Sequence, residues 1–168
     1  MGDLVLKGDA EGLTGMYFME GSRNSVFPPK NEVSFQETDY FVQTKQWLQL
    51  YFAGHDPGFL PRIHLTGSAF RMRVAEIMCE IPFGETVTYG WIAARIAAER
   101  GLMRMSAQAV GGAVGHNPIC LIVPCHRVVG ADGSLTGYGG GIARKKALLE
   151  LEGIDTSCFY VPKTGTAL

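Results

Sequence analysis

The sequence lacks several features that would assign the protein to a narrow class. Its 15 lysine and arginine residues nearly balance 16 aspartate and glutamate residues, and the net charge of −1 provides no global basic field for a nucleic acid. Its four cysteines form no C-x-x-C pair and have no zinc-ligand spacing. We find neither a secretory leader nor an apolar run of membrane-spanning length. These absences favour a cytoplasmic protein with reduced thiols that does not contact a membrane.

Cofactor motifs are also missing. Gly139, Gly140 and Gly141 could surround a phosphate, but no Lys-Ser/Thr pair follows them, which argues against a nucleotide P-loop. We therefore expect the protein to work without a metal or a cofactor. Its chemistry would then come from its own side chains.

What the sequence does contain is a cysteine between a proline and a histidine, at the end of an apolar run. Residues 119–123 are predicted to form a short buried strand, which Pro124 ends because proline has no N–H to donate. Cys125 would then be held rigidly where the chain leaves the core. A neighbouring base such as His126 raises the fraction of reactive thiolate. The same pair is also compatible with a buried structural cysteine beside an unrelated histidine.

Hydrophobic periodicity and turn residues predict an α+β protein of two units, residues 1–64 and 65–168. The first unit is predicted to contain strands at residues 4–7 and 16–19, and a helix between Thr38 and Gly54. Further helices are predicted at residues 69–80, 89–100, 107–115 and 142–151. The turn at Asp132-Gly133 predicts a hairpin between residues 127–129 and 134–135.

The helix predicted at residues 107–115 consists almost entirely of small side chains. Gly111 and Gly112 each cost about 1 kcal/mol relative to alanine inside a helix, so another interaction should offset them. Either the helix packs closely in the core, or its backbone closely approaches DNA. In the second case, the scarcity of long polar side chains indicates binding through shape and phosphates rather than base edges.

Several segments, taken in order, resemble the O6-alkylguanine-DNA alkyltransferases, also called methylated-DNA–protein-cysteine methyltransferases. The resemblance is strong from Gly67 to Gly153 and loose before it. The matching segments are Ile81-Pro82-Phe83-Gly84-Glu85-Thr86, Thr88-Tyr89, Ala109-Val110-Gly111-Gly112-Ala113, Asn117-Pro118, Pro124-Cys125-His126-Arg127-Val128, Thr136-Gly137-Tyr138 and Leu148-Leu149-Glu150-Leu151-Glu152-Gly153. The resemblance implies a small N-terminal ribonuclease H-like α/β domain, followed by a winged helix-turn-helix-like domain that carries Cys125.

The resemblance also implies a direct repair reaction. A damaged guanine would be flipped out of double-stranded DNA into a pocket, where Cys125 attacks the O6-alkyl carbon, and O4-alkylthymine is expected to react in the same way. His126 would deprotonate the thiol through a water, and Glu152 would orient the histidine. Asn117 would tie the DNA-binding helix to the cysteine segment. The alkyl group would stay on Cys125, so that each molecule reacts once.

Contacts to DNA and to the flipped base follow from the same resemblance. The implied residues are Tyr89, Gln108, Ala109, Gly112, Arg127, Val128, Tyr138 and Gly139. The helix predicted at residues 107–115, which carries Gln108, Ala109 and Gly112, would enter the minor groove of any sequence. Gln108 stands where the family normally has an arginine that fills the gap left by the flipped base, and it lacks the charge and the planar guanidinium.

Two basic segments keep alternative interpretations. Arg127 could contact DNA or form a salt bridge inside the fold. The basic cluster at residues 144–146 could form a solvated face or contact a phosphate.

We expect a monomer that acts on DNA, but three other functions are compatible with parts of the sequence. A damage sensor related to the same family would bind the lesion without reacting, although such relatives lack the cysteine. A thiol redox or hydrolytic enzyme could also contain a Cys-His pair. A helix-turn-helix regulator would need sequence-specific contacts, which the bare helix does not offer.

Overall fold

The computed structural model of the chain describes residues 1–19 and 37–162. The N-terminal part begins with the antiparallel strands β1 (Leu4–Gly8) and β2 (Leu13–Phe18), in which Leu6 pairs with Met16. Helix α1 (Asp39–Phe52) follows. Gly54, just past its end, has the positive φ of 79° that is typical of this position. The strands and the helix predicted for this part are thus confirmed.

The remaining elements are four helices and a small parallel sheet. The helices are α2 (Ala69–Cys79), α3 (Tyr89–Glu99), α4 (Ala107–Gly115) and α5 (Ile142–Leu151). The sheet consists of β3 (Val87–Thr88) and β4 (Val128–Val129), and short 3₁₀ turns lie at Cys125–Arg127 and Thr156–Cys158. The described chain is therefore a mixed α/β fold, and none of its helices is long and apolar enough to cross a membrane.

The helix starts follow the capping residues in the sequence. The hydroxyls of Ser68, Thr88 and Ser106 each accept a hydrogen bond from the backbone N–H three residues later, at the starts of α2, α3 and α4. Thr38 precedes α1, but its side chain makes no capping hydrogen bond. The cap at Thr88 fixes where α3 begins, and with it the position of Tyr89.

The strand predicted at residues 119–123 is wrong. The segment is buried as expected, but its backbone turns: the N–H of Ile122 binds the carbonyl of Cys120, and that of Val123 binds the carbonyl of Ile119. Leu121 has a φ of 67°, which is rare for a side chain of this size. Apolar character alone does not separate a strand from a buried turn, because both can fill a core.

The hairpin predicted around Asp132 is also wrong. The turn exists, since the N–H of Gly133 binds the carbonyl of Gly130. However, β4 pairs in parallel with β3, so that Val87 lies opposite Val128, and Ser134 instead forms a bridge with Tyr160. The turn itself is therefore confirmed. The partner of β4 is β3, which is distant in sequence, so no local turn signal could indicate the pairing.

One buried apolar cluster joins the two predicted units. It includes Phe18, Trp47 and Tyr51 from the first and Ile77 and Val114 from the second, among others. Backbone hydrogen bonds reinforce the junction, because Met16 donates to the carbonyl of Pro118 and accepts from the N–H of Cys120. The division after residue 64 stays a prediction, and the shared core indicates that the two parts stabilise each other.

We predict that the two parts unfold in one transition. Trp47 lies in α1 and Trp91 in α3, so the variants Trp91→Phe and Trp47→Phe leave one reporter in each part. In urea, the fluorescence of each variant should report a single transition, with the same dependence of the unfolding free energy on urea concentration. Adding Met16→Ala should lower the unfolding free energy of both variants by about 2–5 kcal/mol, because Met16 is fully buried. Two separate transitions, or an effect of Met16→Ala on one reporter alone, would contradict a shared core.

Candidate active site around Cys125

Cys125 lies at the wall of a cavity of about 280 Å³. The residue begins the 3₁₀ turn after Pro124 and is only 6% exposed. The cavity is also lined by Met16 and Phe18 of β2, Asn117, Cys120, Tyr138 and Gly139. The thiol is thus shielded by the fold but faces a space large enough for part of a small molecule.

Asn117 holds the sulfur in a fixed position. Its side-chain nitrogen donates to Sγ of Cys125 at 3.0 Å and to the carbonyl of Val123 at 2.7 Å. Its side-chain oxygen accepts from the N–H of Ile119 at 3.1 Å, which determines the orientation of the amide. Asn117 follows α4, and its side-chain amide therefore connects the end of that helix to the cysteine turn.

The cysteine is not a preformed thiolate. Burial raises the pKa of the Cys125 thiol above its ordinary value, while the hydrogen bond from Asn117 and the charge of Lys145 act in the opposite direction. A thiol in this environment needs a base at the moment of reaction. The neighbouring His126 is the candidate for the base that deprotonates the Cys125 thiol.

His126 is bound to Glu152 through one ring nitrogen. Nε2 lies 2.7 Å from Oε1 of Glu152, and both side chains are fully buried. Because an ionised carboxylate only accepts hydrogen bonds, Nε2 carries the proton in the neutral ring. Nδ1 then has its lone pair free, and it is buried without a hydrogen-bond partner among the described residues. Burial also lowers the pKa of His126, which favours this neutral, basic form despite the opposing effect of Glu152.

Glu152 accepts five hydrogen bonds. Oε1 accepts from Tyr51, His126 and Arg127, and Oε2 accepts from Arg127 and from the N–H of Gly84. Burial alone would raise the pKa of this carboxyl, but the hydrogen bonds and charges of His126 and Arg127 outweigh it and lower the pKa to about 2. The carboxylate is thus ionised at neutral pH inside the protein.

Arg127 belongs to the interior and not to a DNA-binding surface. Its guanidinium donates to Glu152 through Nε at 2.8 Å and through NH2 at 3.0 Å, and its NH1 donates to the carbonyl of Ile81 at 2.6 Å. The residue is 7% exposed. Of the two interpretations of Arg127, the geometry therefore supports the internal salt bridge, and the DNA contact is corrected.

The basic cluster at residues 144–146 divides among three environments. Lys145 is fully buried and donates to the carbonyls of Val128 and Thr136 at 2.6 and 2.7 Å. Arg144 donates to the carbonyls of Met1 and Gly140, and Lys146 pairs with Glu150 at the surface. The sequence interpretation missed Lys145, although Lys145, Leu148, Leu149 and Glu152 follow the i, i+3, i+4, i+7 spacing of one buried helix face.

Burial of Lys145 changes the charge near the sulfur. It lowers the pKa of the lysine to about 8, while the Cys125 charge opposes this shift. At neutral pH the ammonium is still mostly protonated, and it is one of the groups that favour the Cys125 thiolate. Its bond to Val128 uses one lone pair of that carbonyl, and the Val128 N–H donates to the carbonyl of Cys125. A carbonyl oxygen has a second lone pair, so the expected contact of the Val128 backbone with a base stays a prediction.

Tyr89, Tyr138 and Gly139 lie around the cysteine, and their contacts with a base or with DNA stay predictions. The Tyr89 hydroxyl donates to the carbonyl of Thr136 at 3.0 Å, and burial raises its pKa to about 12. Tyr138 is buried, and its hydroxyl has no hydrogen-bond partner in the described part of the chain. Gly139 is exposed, and a Cβ there would meet no atom within 4 Å.

The outer face of α4 is bare. Gln108, Ala109 and Gly112 are exposed, whereas Val110, Ala113 and Val114 are buried. Among the described residues, a Cβ added to Gly112 would meet nothing within 4 Å, and one added to Gly111 would touch only the Tyr89 ring, at 3.9 Å. Close packing inside the protein therefore does not explain this pair of glycines.

Comparison with known proteins identifies the family. The model of the 6-O-methylguanine DNA methyltransferase DNA-binding domain matches residues 69–154. A methylated-DNA–protein-cysteine methyltransferase of Mycobacterium tuberculosis is 44% identical over 152 residues, which cover 90% of this chain and 87% of that protein. The chain belongs to this family. A Methanosarcina acetivorans member is 40% identical over 153 residues, with 91% of this chain and 93% of that protein covered.

Solved structures of the methyltransferase family share the fold. The crystal structure of Mycobacterium tuberculosis OGT in complex with DNA has a TM-score of 0.72 and 43% identity, and the match covers 89% of this chain and 86% of that chain. An O6-methylguanine-DNA methyltransferase from Pyrococcus kodakaraensis has a TM-score of 0.57 and 28% identity, with 89% and 90% covered. The predicted family membership is thereby confirmed.

The structure brings together the four residues that the family resemblance assigns to the chemistry. Cys125 contacts Asn117, and His126 contacts Glu152, within one buried region. Tyr51 was missed, because its position on the apolar face of α1 indicated core packing. In the described ranges, no cluster of three or more potential ligand side chains could hold a metal ion.

We predict that Gly140→Ala distorts the cavity wall. A Cβ at Gly140 would lie 2.6 Å from the Tyr138 ring and 3.2 Å from Phe18, and both side chains are buried. Overpacking of this kind costs about 1–3 kcal/mol in unfolding free energy. The control is Gly139→Ala, where the added methyl meets no neighbour and the change should stay within about 1 kcal/mol. Equal effects of the two changes in urea unfolding would show that the wall is not tightly packed.

We also predict how Glu152 contributes to acid stability. Since its folded-state pKa is lowered from 4.5 to about 2, the stabilisation is complete above pH 4.5 and disappears as the pH falls towards 2. Glu152→Gln should reduce stability at pH 7 by about 3–5 kcal/mol, because Arg127 remains buried without its partner. Urea unfolding between pH 7 and pH 2 should show the difference from the wild type narrowing below pH 4.5. The exposed control Glu85→Gln should follow the wild type throughout, and a constant difference for Glu152→Gln would contradict the assignment.

Proposed function

We propose that the protein repairs DNA by transferring the alkyl group of O6-alkylguanine to Cys125. The observation that carries this proposal is the arrangement around the sulfur of Cys125. Asn117 holds this sulfur, and Nδ1 of the adjacent His126 is buried without a hydrogen-bond partner among the described residues. Membership of the methyltransferase family supports the choice of substrate.

The transfer balances as a single substitution. The sulfur of Cys125 attacks the alkyl carbon, the new S–C bond forms, and the C–O6 bond breaks with its electron pair left on the guanine. The thiol proton passes through a water to Nδ1 of His126, while Glu152 stabilises the resulting imidazolium through Nε2–H. The imidazolium of His126 then returns a proton to the guanine, so that guanine and an S-alkylcysteine are the products.

The flipped base would occupy the cavity beside Tyr138 and Gly139. Tyr89, at the start of α3, would crowd the backbone of the flipped nucleotide, which has to leave the base stack before it can react. O4-alkylthymine presents a similar alkylated oxygen and would react at the same sulfur. Water does not displace the Cys125 thiolate from the alkyl carbon of a thioether, so each molecule would act once.

We propose that α4 is the DNA-binding helix, within a winged helix-turn-helix-like domain that follows a ribonuclease H-like one. The exposed Ala109 and Gly112 let the helix backbone approach a groove closely, and the free space at Gly112 supports this role. Without long polar side chains, the helix would bind in the minor groove with little sequence preference. Gln108 would hydrogen-bond to the unpaired base opposite the lesion, with less stabilisation than the usual arginine provides.

We further propose that the protein acts as a monomer in the cytoplasm. Its four cysteines, Cys79, Cys120, Cys125 and Cys158, are all free thiols. A reducing compartment keeps such thiols available, whereas an oxidising one would consume the acceptor sulfur.

The test is intact-protein mass spectrometry after mixing with a duplex that contains O6-methylguanine. We expect the wild type to gain one methylene, about 14 Da, in a stoichiometric reaction, and Cys125→Ala to gain nothing. Cys120→Ala is the matched control, because Cys120 lines the same cavity, and it should react like the wild type. Tight binding of the lesion without a mass gain would indicate a damage sensor, and a gain in Cys125→Ala would move the acceptor to another residue.

A further inference from the structure

Helix α1 brings a tyrosine hydroxyl into the His126–Glu152 pair. Tyr51 is fully buried, and its hydroxyl donates to Oε1 of Glu152 at 2.7 Å. The same oxygen lies 3.1 Å from Nε2 of His126. Tyr51 is separated from His126 by 75 residues and from Glu152 by 101 residues, so the N-terminal part completes a site whose other members lie in the C-terminal part.

The tyrosine ring is held independently of its hydroxyl. It stacks on Trp47 with a centroid distance of 4.9 Å and an interplanar angle of 12°, and the edge of Phe83 meets it at 6.0 Å. Packing of this kind would retain a phenylalanine in the same place. The hydroxyl is therefore not needed to position the ring, and its polar contacts call for another explanation.

The hydroxyl competes with the histidine for one carboxylate oxygen. Oε1 of Glu152 accepts from Tyr51 and Arg127 as well as from His126, and each added donor reduces the negative charge available to an imidazolium. The Tyr51 oxygen also offers Nε2–H a second acceptor. Burial raises the pKa of Tyr51 far above its ordinary value, and Glu152 adds to the shift, so the hydroxyl remains a donor at neutral pH.

We propose that Tyr51 is a positioning residue for alkyl transfer, which keeps the His126 proton on Nε2 and limits the affinity of the ring for a second proton. Nδ1 is then available as the base before the reaction. This inference rests on the proposed function and assigns the N-terminal part a direct effect on the chemistry.

The expected direction follows from the groups that face His126. Those groups are Tyr51, Cys125, Arg127, Tyr138, Lys145 and Glu152. Arg127 and Lys145 disfavour the imidazolium, and Glu152 favours it. In Tyr51→Phe, the imidazolium loses the neutral hydroxyl as an acceptor, but Glu152 loses a competing donor. The second effect is larger because the bond to the charged carboxylate is the stronger one, so the pKa of His126 rises and a larger fraction of the ring is already protonated.

The experiment measures the single-turnover rate of methyl transfer between pH 5 and pH 9, with excess lesion duplex. We expect the acid limb of Tyr51→Phe to shift upward by about one pH unit, the size typical of one hydrogen bond, so that the variant reacts about tenfold more slowly on the acid limb and approaches the wild-type rate at high pH. The reaction endpoint counts competent molecules, so unfolded protein does not enter the rate. Tyr40→Phe is the matched control, because it makes the same change in the same helix, and it should reproduce the wild-type profile.

The outcomes separate this inference from the proposed function. No transfer by the wild type would reject the function itself. Transfer by the wild type, with Tyr51→Phe giving an unshifted profile, would reject the role of Tyr51, even if the plateau were lower.

A measurement on the wild type needs no variant. The ¹⁵N shifts of His126 should show a protonated Nε2 and an unprotonated Nδ1 near neutral pH. The reverse pattern would overturn the inference even if Tyr51→Phe failed to fold.

Discussion

The ionised carboxylate of Glu152 lies inside the protein, and much of the structure serves to accommodate it. A buried charge loses several kcal/mol of hydration, which only good geometry and a full set of donors can offset. Those donors come from α1, from the turn before β3 and from the 3₁₀ turn after Cys125. The two carboxylate oxygens of Glu152 thus connect segments that lie far apart in sequence. They also orient His126, the residue next to the reactive Cys125. The same contacts hold the fold together and prepare the chemistry.

Elements that depend on local signals could be predicted from the sequence. Caps at Thr88 and Ser106 located α3 and α4, and the order of family motifs pointed to Cys125, His126 and Asn117. The strand expected at residues 119–123 failed because a buried turn and a buried strand have the same composition. The partner of β4 failed for a related reason, since a parallel pairing between Val87 and Val128 has no neighbouring turn to reveal it.

The interior charges were the least predictable part of the site. Basic residues are usually solvated, so the cluster that contains Lys145 suggested a solvated face or a phosphate contact, whereas Arg127 was compatible with either a DNA contact or an internal salt bridge. Their burial depends on acceptors supplied elsewhere, namely the carbonyls of Val128 and Thr136 for the lysine and Glu152 for the arginine. Tyr51 was missed for the opposite reason. Its ring fits the apolar face of α1, so the sequence indicated only core packing, whereas its hydroxyl donates to Glu152. Both cases require the tertiary partner before the role of the residue becomes visible.

The two faces of helix α4 are constrained differently, the inner face by core packing and the outer face by the proposed contact with DNA. Its inner face is held by the core, whereas a Cβ at Gly112 would meet no atom of the described residues within 4 Å. Screens that score variants by expression or melting temperature would therefore treat larger residues at this position as harmless. Selection in a cell exposed to alkylating agents acts on the complex with DNA, and if α4 contacts DNA as proposed, a side chain at Gly112 would occupy space that the DNA needs. Intolerance at Gly112 would thus be invisible to folding and apparent only as sensitivity of the organism to damage.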